Sequence, residues 1–188
     1  QETGDRTNKA VEEKTADSGP ERVCAIKKPV WDPEKLPSVF IRVAGLCNNA
    51  KLRESAPGYT GDPTEGALLV FANSLEDIRK LQNDYPRLEE FPFDSLTKRM
   101  EVLCRTPEGK LEVYLKGAPE VVVKMCSSAL ASGGIEKLGE AEQKELLDRH
   151  LSLARKGERF IALAHRQIEE LKEYPEAFLF LGLIGIVD

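Results

Sequence analysis

The sequence predicts an α+β fold in which helices accompany a mainly antiparallel sheet. The clearest sign is a hairpin pattern, because strand-like segments at 100–104 and 111–115 stand on either side of a turn at 107–110. Further strand-like segments lie at 88–93, 159–164 and 178–187. The helical segments are grouped between these strands, which favours an α+β architecture.

Five helical segments complete the predicted fold. The clearest start is at Pro63, because Asp62 is a good N-cap, Pro63 suits the first helical position, and Glu65 at the third gives a capping-box-like pattern. The predicted helices lie near residues 38–48, 63–71, 74–82, 119–127 and 141–154.

Length and composition bound the class of protein. The chain has 188 residues, of which 41% are hydrophobic and 31% charged, as expected for one globular domain. The formal net charge of −5 argues against a nucleic-acid surface, which needs clustered lysine and arginine. Cysteines stand at positions 24, 47, 104 and 126 without metal-ligand spacing, so they are expected to be core thiols.

The two ends of the sequence carry separate expectations. Residues 1–22 are polar and mixed in charge, and they are expected to form a flexible lead-in to a single domain over residues 23–188. The apolar run 178–187 is about half of the roughly 20 residues that a helix needs to cross a bilayer. Since the sequence stops one residue after this strand, it is expected to be a piece of a larger protein.

The motif at residues 116–120 is the most informative feature for function. A strand ends at Lys116, Gly117 permits close approach of backbone, and Pro119 opens a helix. By alternation, Lys116 is predicted on the Glu112 and Tyr114 face of its strand, away from the apolar core face. A fixed cation beside open backbone suits a phosphate-bearing ligand, and the alternative is an ordinary strand-ending lysine before a capped helix.

Other side chains have chemistry that suits a nucleotide, and each has a structural alternative. Phe93 could stack on a base with Lys98 nearby, or be a core residue at a strand end. Glu65 could accept a hydrogen bond from an exocyclic amine, or complete the capping box. Arg159 could reach a phosphate, or form a surface ion pair. No P-loop or Rossmann pattern is present.

These motifs together resemble the nucleotide-binding domain of P-type cation-transporting ATPases, in particular the calcium-pumping and sodium/potassium-pumping branches. Six segments match in the order the family has them: residues 44–48, 61–68, 91–95, 116–120, 157–159 and 182–188. The resemblance covers about residue 38 to the end, and it implies a twisted, mainly antiparallel sheet flanked by helices with an ATP pocket on one side.

The resemblance also implies roles around the adenine base. Phe93 would stack on the base, and Glu65 would bond its amino group. Met100 would pack near it, while Gly117 and Ala118 would give the base close backbone access.

A second set of roles concerns charge and the phosphates. The resemblance implies that Lys116 lines the inner pocket, that Lys98 closes it and that Arg159 meets the phosphates. Ser95 belongs to the same site, at a position where some relatives carry an arginine, and Arg99 is the alternative for that phosphate contact. No catalytic residue and no metal ligand is assigned.

The family's phosphorylated aspartate lies in an Asp-Lys-Thr-Gly-Thr motif, which this sequence does not contain. The resemblance therefore implies a cytoplasmic domain of an integral membrane pump, itself soluble and monomeric, that binds ATP (as Mg-ATP in the parent pump) and delivers its γ-phosphate to an aspartate elsewhere. Its partners would be the phosphorylation and actuator domains of the same chain. The rival hypotheses are a free-standing kinase-like phosphotransferase and a nucleotide-like docking or regulatory domain without catalysis.

Overall fold

An eight-stranded sheet organises the chain in the computed structural model, which describes residues 25–26, 37–54, 58–131, 133–154, 159–170 and 177–187. The expected lead-in, residues 1–22, lies outside them. The strands are β1 (Ala25–Ile26), β2 (Lys51–Leu52), β3 (Tyr59–Thr60), β4 (Arg87–Asp94), β5 (Arg99–Arg105), β6 (Leu111–Gly117), β7 (Cys126–Ala131), β8 (Gly134–Lys137), β9 (Arg159–Ile168) and β10 (Phe178–Val187). The helices are α1 (Ser38–Leu46), α2 (Pro63–Leu75), α3 (Ile78–Asp84), α4 (Pro119–Val122) and α5 (Glu140–Ala154).

The large sheet has the strand order β4-β5-β6-β9-β10-β7-β8, with β1 paired to β10, while β2 and β3 form a separate two-stranded ribbon. Every pairing in the sheet is antiparallel except that of β10 with β7, which is parallel. The predicted α+β class and the predicted hairpin, now β5 and β6, are confirmed.

Both faces of the central strands are buried. One face of the sheet packs against α1, α2 and α3, and the other packs against α4 and α5. Every residue of β6 is buried. The prediction that Lys116 points away from the core is therefore wrong. Since α1 and α2 cover that face, the polar residues Glu112 and Lys116 are buried there with partners.

The helix starts follow their capping residues. Asp62 Oδ1 accepts hydrogen bonds from the N–H groups of Thr64 and Glu65, which confirms the predicted start of α2. The predicted helix at 74–82 is displaced, because α2 continues to Leu75 and α3 begins only after a second aspartate cap, Asp77. The helices predicted near 38–48 and 141–154 are confirmed as α1 and α5.

The segment after Pro119 departs most from the prediction. Instead of a helix over 119–127, α4 ends at Val122, a 3-10 turn covers Val123–Met125, and Cys126 starts β7. β7 then pairs with both β10 and β8, so two strands occupy the end of one predicted helix and the stretch before the next, for which no strand was predicted. Pairing on both edges stabilises a strand whose serine and alanine content gives little local signal.

The three described cysteines, Cys47, Cys104 and Cys126, are free and buried, which confirms the predicted core thiols for these positions. Burial raises the pKa of each thiol to about 12. These thiols are therefore protonated and inert near neutral pH. None of the helices in the described ranges is long and apolar enough to cross a membrane.

A polar cluster lies under α1, toward the end of β6 opposite Lys116. The Tyr114 hydroxyl donates to Glu112 at 2.6 Å, and Arg42 lies 3.5 Å from the same carboxylate. His165 pairs in register with Tyr114, and its buried Nδ1 has no hydrogen-bond partner among the described residues. Burial lowers the pKa of His165. The negative charge of Glu112 opposes this shift, and the positive charge of Arg42 adds to it.

This lowered pKa predicts a pH dependence of stability. The unfolded chain binds a proton at His165 below about pH 6.5, while the folded protein resists it, so stability is lost as pH falls from that value toward the lower folded pKa. We expect His165→Gln to lose less unfolding free energy than the wild type between pH 7.5 and about pH 5.5. Urea unfolding at both pH values measures this. His150 and the carboxylates remain in both proteins, so equal losses would exclude the assignment.

Candidate functional site

A buried ion pair stands at the centre of the candidate site. Lys116, near the end of β6, is 4% exposed, and its Nζ donates to Glu65 Oε1 at 2.6 Å. Glu65 is in the first turn of α2, so the pair joins the helix layer to the sheet. The structure thus brings together two residues that are 51 positions apart and that the sequence assigned to one site.

The second oxygen of Glu65 faces the turn after α1. Glu65 Oε2 accepts the N–H of Asn49 at 3.1 Å, and the Glu65 backbone carbonyl accepts Asn48 Nδ2 at 2.8 Å. The capping-box alternative would direct the carboxylate to the N–H of Asp62, and both carboxylate oxygens have these other donors instead. Glu65 is therefore a hub between α1, α2 and β6.

The end of β4 and the turn that follows it carry three of the predicted site residues, namely Phe93, Ser95 and Lys98. Phe93 and Ser95 flank Asp94, whose Oδ1 accepts the N–H of Leu96 at 2.6 Å, and all of these side chains are exposed. Lys98 closes the turn with a φ of 51°, a left-handed conformation uncommon for a residue with a side chain. Its N–H donates to the Asp94 carbonyl at 2.6 Å.

A register shift in β4 puts Phe93 on the same face of the sheet as the ion pair. The pairing of β4 with β5 shifts register between Phe91 and Asp94, so that Phe91 lies opposite Glu101 whereas Asp94 lies opposite Arg99. By alternation after this shift, Phe93 projects on the face of Met100, the face that carries Lys116. Phe93 is 57% exposed, so it is not the core residue of the structural alternative.

Gly117 is needed because the backbone of the neighbouring strand approaches it closely. A methyl group at this position would lie 2.5 Å from the Lys98 carbonyl oxygen and 2.9 Å from the Arg99 Cα. The next N–H, of Ala118, donates to the same Lys98 carbonyl at 2.9 Å. Lys98 Nζ also lies 3.2 Å from the Glu120 carboxylate in a half-exposed ion pair. The 116–120 motif therefore holds the β4–β5 turn in place.

Met100 and Arg159 lie on either side of this arrangement. Met100 pairs in register with Lys116 and is fully buried, with its carbonyl accepting the Cys47 thiol. Arg159 is the exposed first residue of β9, three positions before Ala162, the partner of Gly117. That spacing puts Arg159 roughly 10 Å farther along the sheet and, by alternation, on the face of Lys116. Residues 157–158 of the matching segment lie outside the described residues.

Sequence reasoning missed the polar residues that surround this site. Arg87, Asn49 and Glu90 form a hydrogen-bonded group beside Glu65, and the local sequence pattern indicated no more of it than a helix end near residue 48. A cavity of about 430 Å³ adjoins the same group. Residues of α1, α2, α3, β2, β4 and β5 and of the turn after α1 line it, and none of the predicted nucleotide residues does.

A comparison with known protein families shows which class of protein this chain belongs to. A family described as the P-type ATPase, cytoplasmic domain N, matches residues 38–188. The chain therefore belongs to this family, and the resemblance drawn from the sequence motifs is confirmed.

Similar curated proteins include both pump branches named above. A calcium-transporting ATPase of Bacillus subtilis (strain 168) is 36% identical over 154 residues, covering 76% of this chain and 17% of the relative. The calcium-transporting ATPase type 2C member 1 of Homo sapiens is 34% identical, covering 80% and 16%. The sodium/potassium-transporting ATPase subunit alpha-4 of Rattus norvegicus is 31% identical, covering 78% and 16%. The chain thus spans about a sixth of the length of these relatives.

Proposed function

We propose that this domain binds ATP at the Glu65–Lys116 site and, in a longer P-type cation-transporting ATPase, presents the γ-phosphate to an aspartate of the phosphorylation domain. What supports the proposal is the contact between Glu65 and Lys116, together with the exposed ring of Phe93, which by strand alternation lies on the same face and at the same end of the sheet. A carboxylate, a cation and an open aromatic ring are the groups that a nucleotide's amine, phosphates and base require.

The roles follow from the position of each group. Phe93 offers an exposed ring for stacking on adenine, and Glu65 offers acceptor oxygens to its amino group. Lys116 supplies positive charge in the inner part of the site, and the buried Met100 lies beside it on the neighbouring strand. Gly117 and Ala118 bring the strand backbone up to the edge of the turn.

The phosphates would lie toward the charged rim. Lys98 is exposed at the turn and Arg159 is exposed at the start of β9, so both can meet phosphate oxygens. Ser95 adds a hydroxyl on the turn, and Arg99, the alternative phosphate contact, is already bound to Glu101 at 2.7 Å. Magnesium would arrive with the nucleotide, since it binds chiefly through phosphate oxygens and water.

The reaction itself would take place in another domain. The domain would hold ATP by its base and then move as a unit so that the γ-phosphate reaches the aspartate, a hinged closure of a familiar kind. In this proposal the parent is an ATP-driven cation translocase in a membrane, the domain lies on the cytoplasmic side, and its partners are the phosphorylation and actuator domains.

Replacing the stacking ring tests the proposal directly. We expect Phe93→Ala to weaken ATP binding roughly 5- to 150-fold, the range that base–aromatic stacking of about 1–3 kcal/mol corresponds to. Phe91→Ala is a matched control, because Phe91 is equally exposed at 54% on the same strand but lies before the register shift. Calorimetric titration of the chain with Mg-ATP measures both affinities.

The outcome also separates the rival functions. Equal affinities for ATP in the two alanine variants would overturn the role of Phe93, and the absence of any ATP binding by the wild type would favour the docking domain. Phosphate release that depends on Lys116 and magnesium would instead favour a phosphotransferase.

A further inference from the structure

We propose that Arg87 is a positioning residue for Glu65, acting through the turn formed by Asn48 and Asn49; this rests on the ATP-binding role of Glu65 proposed above. Arg87 begins the edge strand β4, and its guanidinium extends beneath the end of α1. Asn48 is also the last residue of the matching segment 44–48, and none of the nucleotide roles described above uses it.

Arg87 binds four acceptors at once. Its Nη2 donates to the carbonyls of Leu46 and Asn48 at 2.7 and 2.8 Å, and its Nη1 donates to Asn49 Oδ1 and Glu90 Oε2 at 2.8 and 2.7 Å. The carbonyl of Leu46 is one of those that a helix end leaves without a helical partner, and α1 has no basic residue in its own last turn. The planar guanidinium of Arg87, which comes from a strand distant in sequence, therefore fixes the end of α1.

The turn that Arg87 fixes also holds Glu65 in place. Asn48 Nδ2 bridges the carbonyls of Ala44 and Glu65 at 3.1 and 2.8 Å, while its Oδ1 accepts the N–H of Ala50 at 2.9 Å. Asn49 then donates its N–H to Glu65 Oε2. Two consecutive asparagines thus anchor both the backbone and the carboxylate of Glu65, and Lys116 anchors the other oxygen.

Glu90 completes the arrangement by balancing the arginine. It accepts Asn49 Nδ2 at 2.5 Å as well as Arg87. The hydrogen bond from Asn49 lowers the pKa of Glu90, which partial burial opposes and Arg87 reinforces. The acid therefore remains ionised beside the guanidinium at neutral pH, and the side chain of Asn49 is held from two sides.

Without Arg87 the N–H of Asn49 would lose its fixed position, and Lys116 would be the one fixed partner left to the Glu65 carboxylate. The carboxylate could then turn about its bond to Lys116, and its free oxygen would no longer keep a fixed direction. The group that depends on this direction is the amino group of adenine, because Lys98 and Arg159, the residues proposed to meet the phosphates, lie on other elements. The defect should therefore be specific to the base.

A comparison of two nucleotides measures this specificity. Inosine triphosphate (ITP) keeps the sugar and phosphates of ATP but has a carbonyl where adenine has the amino group. We expect Arg87→Gln to weaken ATP binding about 5-fold and to change ITP binding by less than about 2-fold. Arg79→Gln is the matched control, since Arg79 is an exposed arginine that also donates to a backbone carbonyl, that of Arg53 at 3.1 Å.

Further variants test whether the guanidinium group of Arg87 is required, rather than its positive charge alone. Arg87→Lys keeps the charge but cannot reach both pairs of acceptors, so it should behave like Arg87→Gln. In a Glu65→Gln background, Arg87→Gln should cause no further loss of the preference for ATP over ITP. Wild-type preference in Arg87→Lys, or equal losses of ATP and ITP binding in Arg87→Gln, would overturn the positioning role.

Hydrogen exchange of the backbone N–H of Asn49 gives a readout that needs no nucleotide. We expect this amide to exchange faster in Arg87→Gln than in the wild type or in Arg79→Gln. Unchanged exchange, or a retained preference for ATP, would overturn the positioning role alone and leave the proposed function intact. A wild type that does not distinguish ATP from ITP would instead overturn the adenine role of Glu65, and this proposal with it.

Discussion

Lys116→Met is expected to destabilise the domain by about 3 kcal/mol, because it leaves the partly buried carboxylate of Glu65 without its cation. Removing both charges in Glu65→Gln/Lys116→Met should recover part of this loss, since the double variant leaves no unpaired charge. Lys98→Met is the control: its ion pair with Glu120 is half exposed, and losing it should cost less than about 1 kcal/mol. Urea unfolding of the four proteins measures these differences.

The same variant tests ligand binding separately from stability. A ligand that binds only the folded state at 100 times its dissociation constant adds about 2.7 kcal/mol to the unfolding free energy. We expect Mg-ATP to stabilise the wild type in this way and to leave Lys116→Met nearly unchanged. Equal stabilisation of both by ATP would show that Lys116 is a structural lysine only, even if the stability prediction holds.

Gly117→Ala is expected to cost about 3 kcal/mol, the upper end of overpacking effects, because the added methyl group meets backbone atoms of Lys98 and Arg99. A backbone carbonyl cannot rotate away as a side chain can, so β5 and β6 must separate at this end. The hydrogen bond from Ala118 N–H to Lys98 should weaken as well. Thermal unfolding measures the first effect, and exchange of the Ala118 amide measures the second.

Gly133→Ala provides the comparison for this substitution. A methyl group at Gly133 would meet no atom within 4 Å, so a change within about 0.5 kcal/mol is expected. If the two alanine variants were equally stable, the close approach at Gly117 would have no energetic consequence. If Gly117→Ala lost stability but kept ATP affinity, the turn would not need its position for binding.

The parts of the fold that depend on local chemistry could be predicted. Asp62 and Pro63 mark the start of α2, because the cap and the first helical position are adjacent in sequence. The β5–β6 hairpin follows from two short segments around one turn. β7 and β8 were missed because Ser127 and Ser128 give no alternating pattern, and because β7, to which β8 pairs, is itself paired with β10 about fifty residues later.

The candidate site also has parts that could be predicted from local sequence and parts that could not. Glu65, Phe93 and Lys116 could be proposed from their motifs, but burial of Lys116 depends on α1 and α2 covering a second face of the sheet. The register shift that puts Phe93 on that face leaves no mark in the local pattern, since it arises from pairing with β5. Arg87 lies 38 to 41 positions from the turn that it holds, and single-sequence reasoning has no signal for such a distance.

The position of β10 has a consequence for the order of assembly during synthesis. β10 lies between β9 and β7, both of which precede it in the chain, and it also receives β1. Until it leaves the ribosome, β9 and β7 each present an unpaired edge, and such edges pair readily with other chains. Chaperone protection of the nascent chain would matter most in the interval between the emergence of β9 and the insertion of β10.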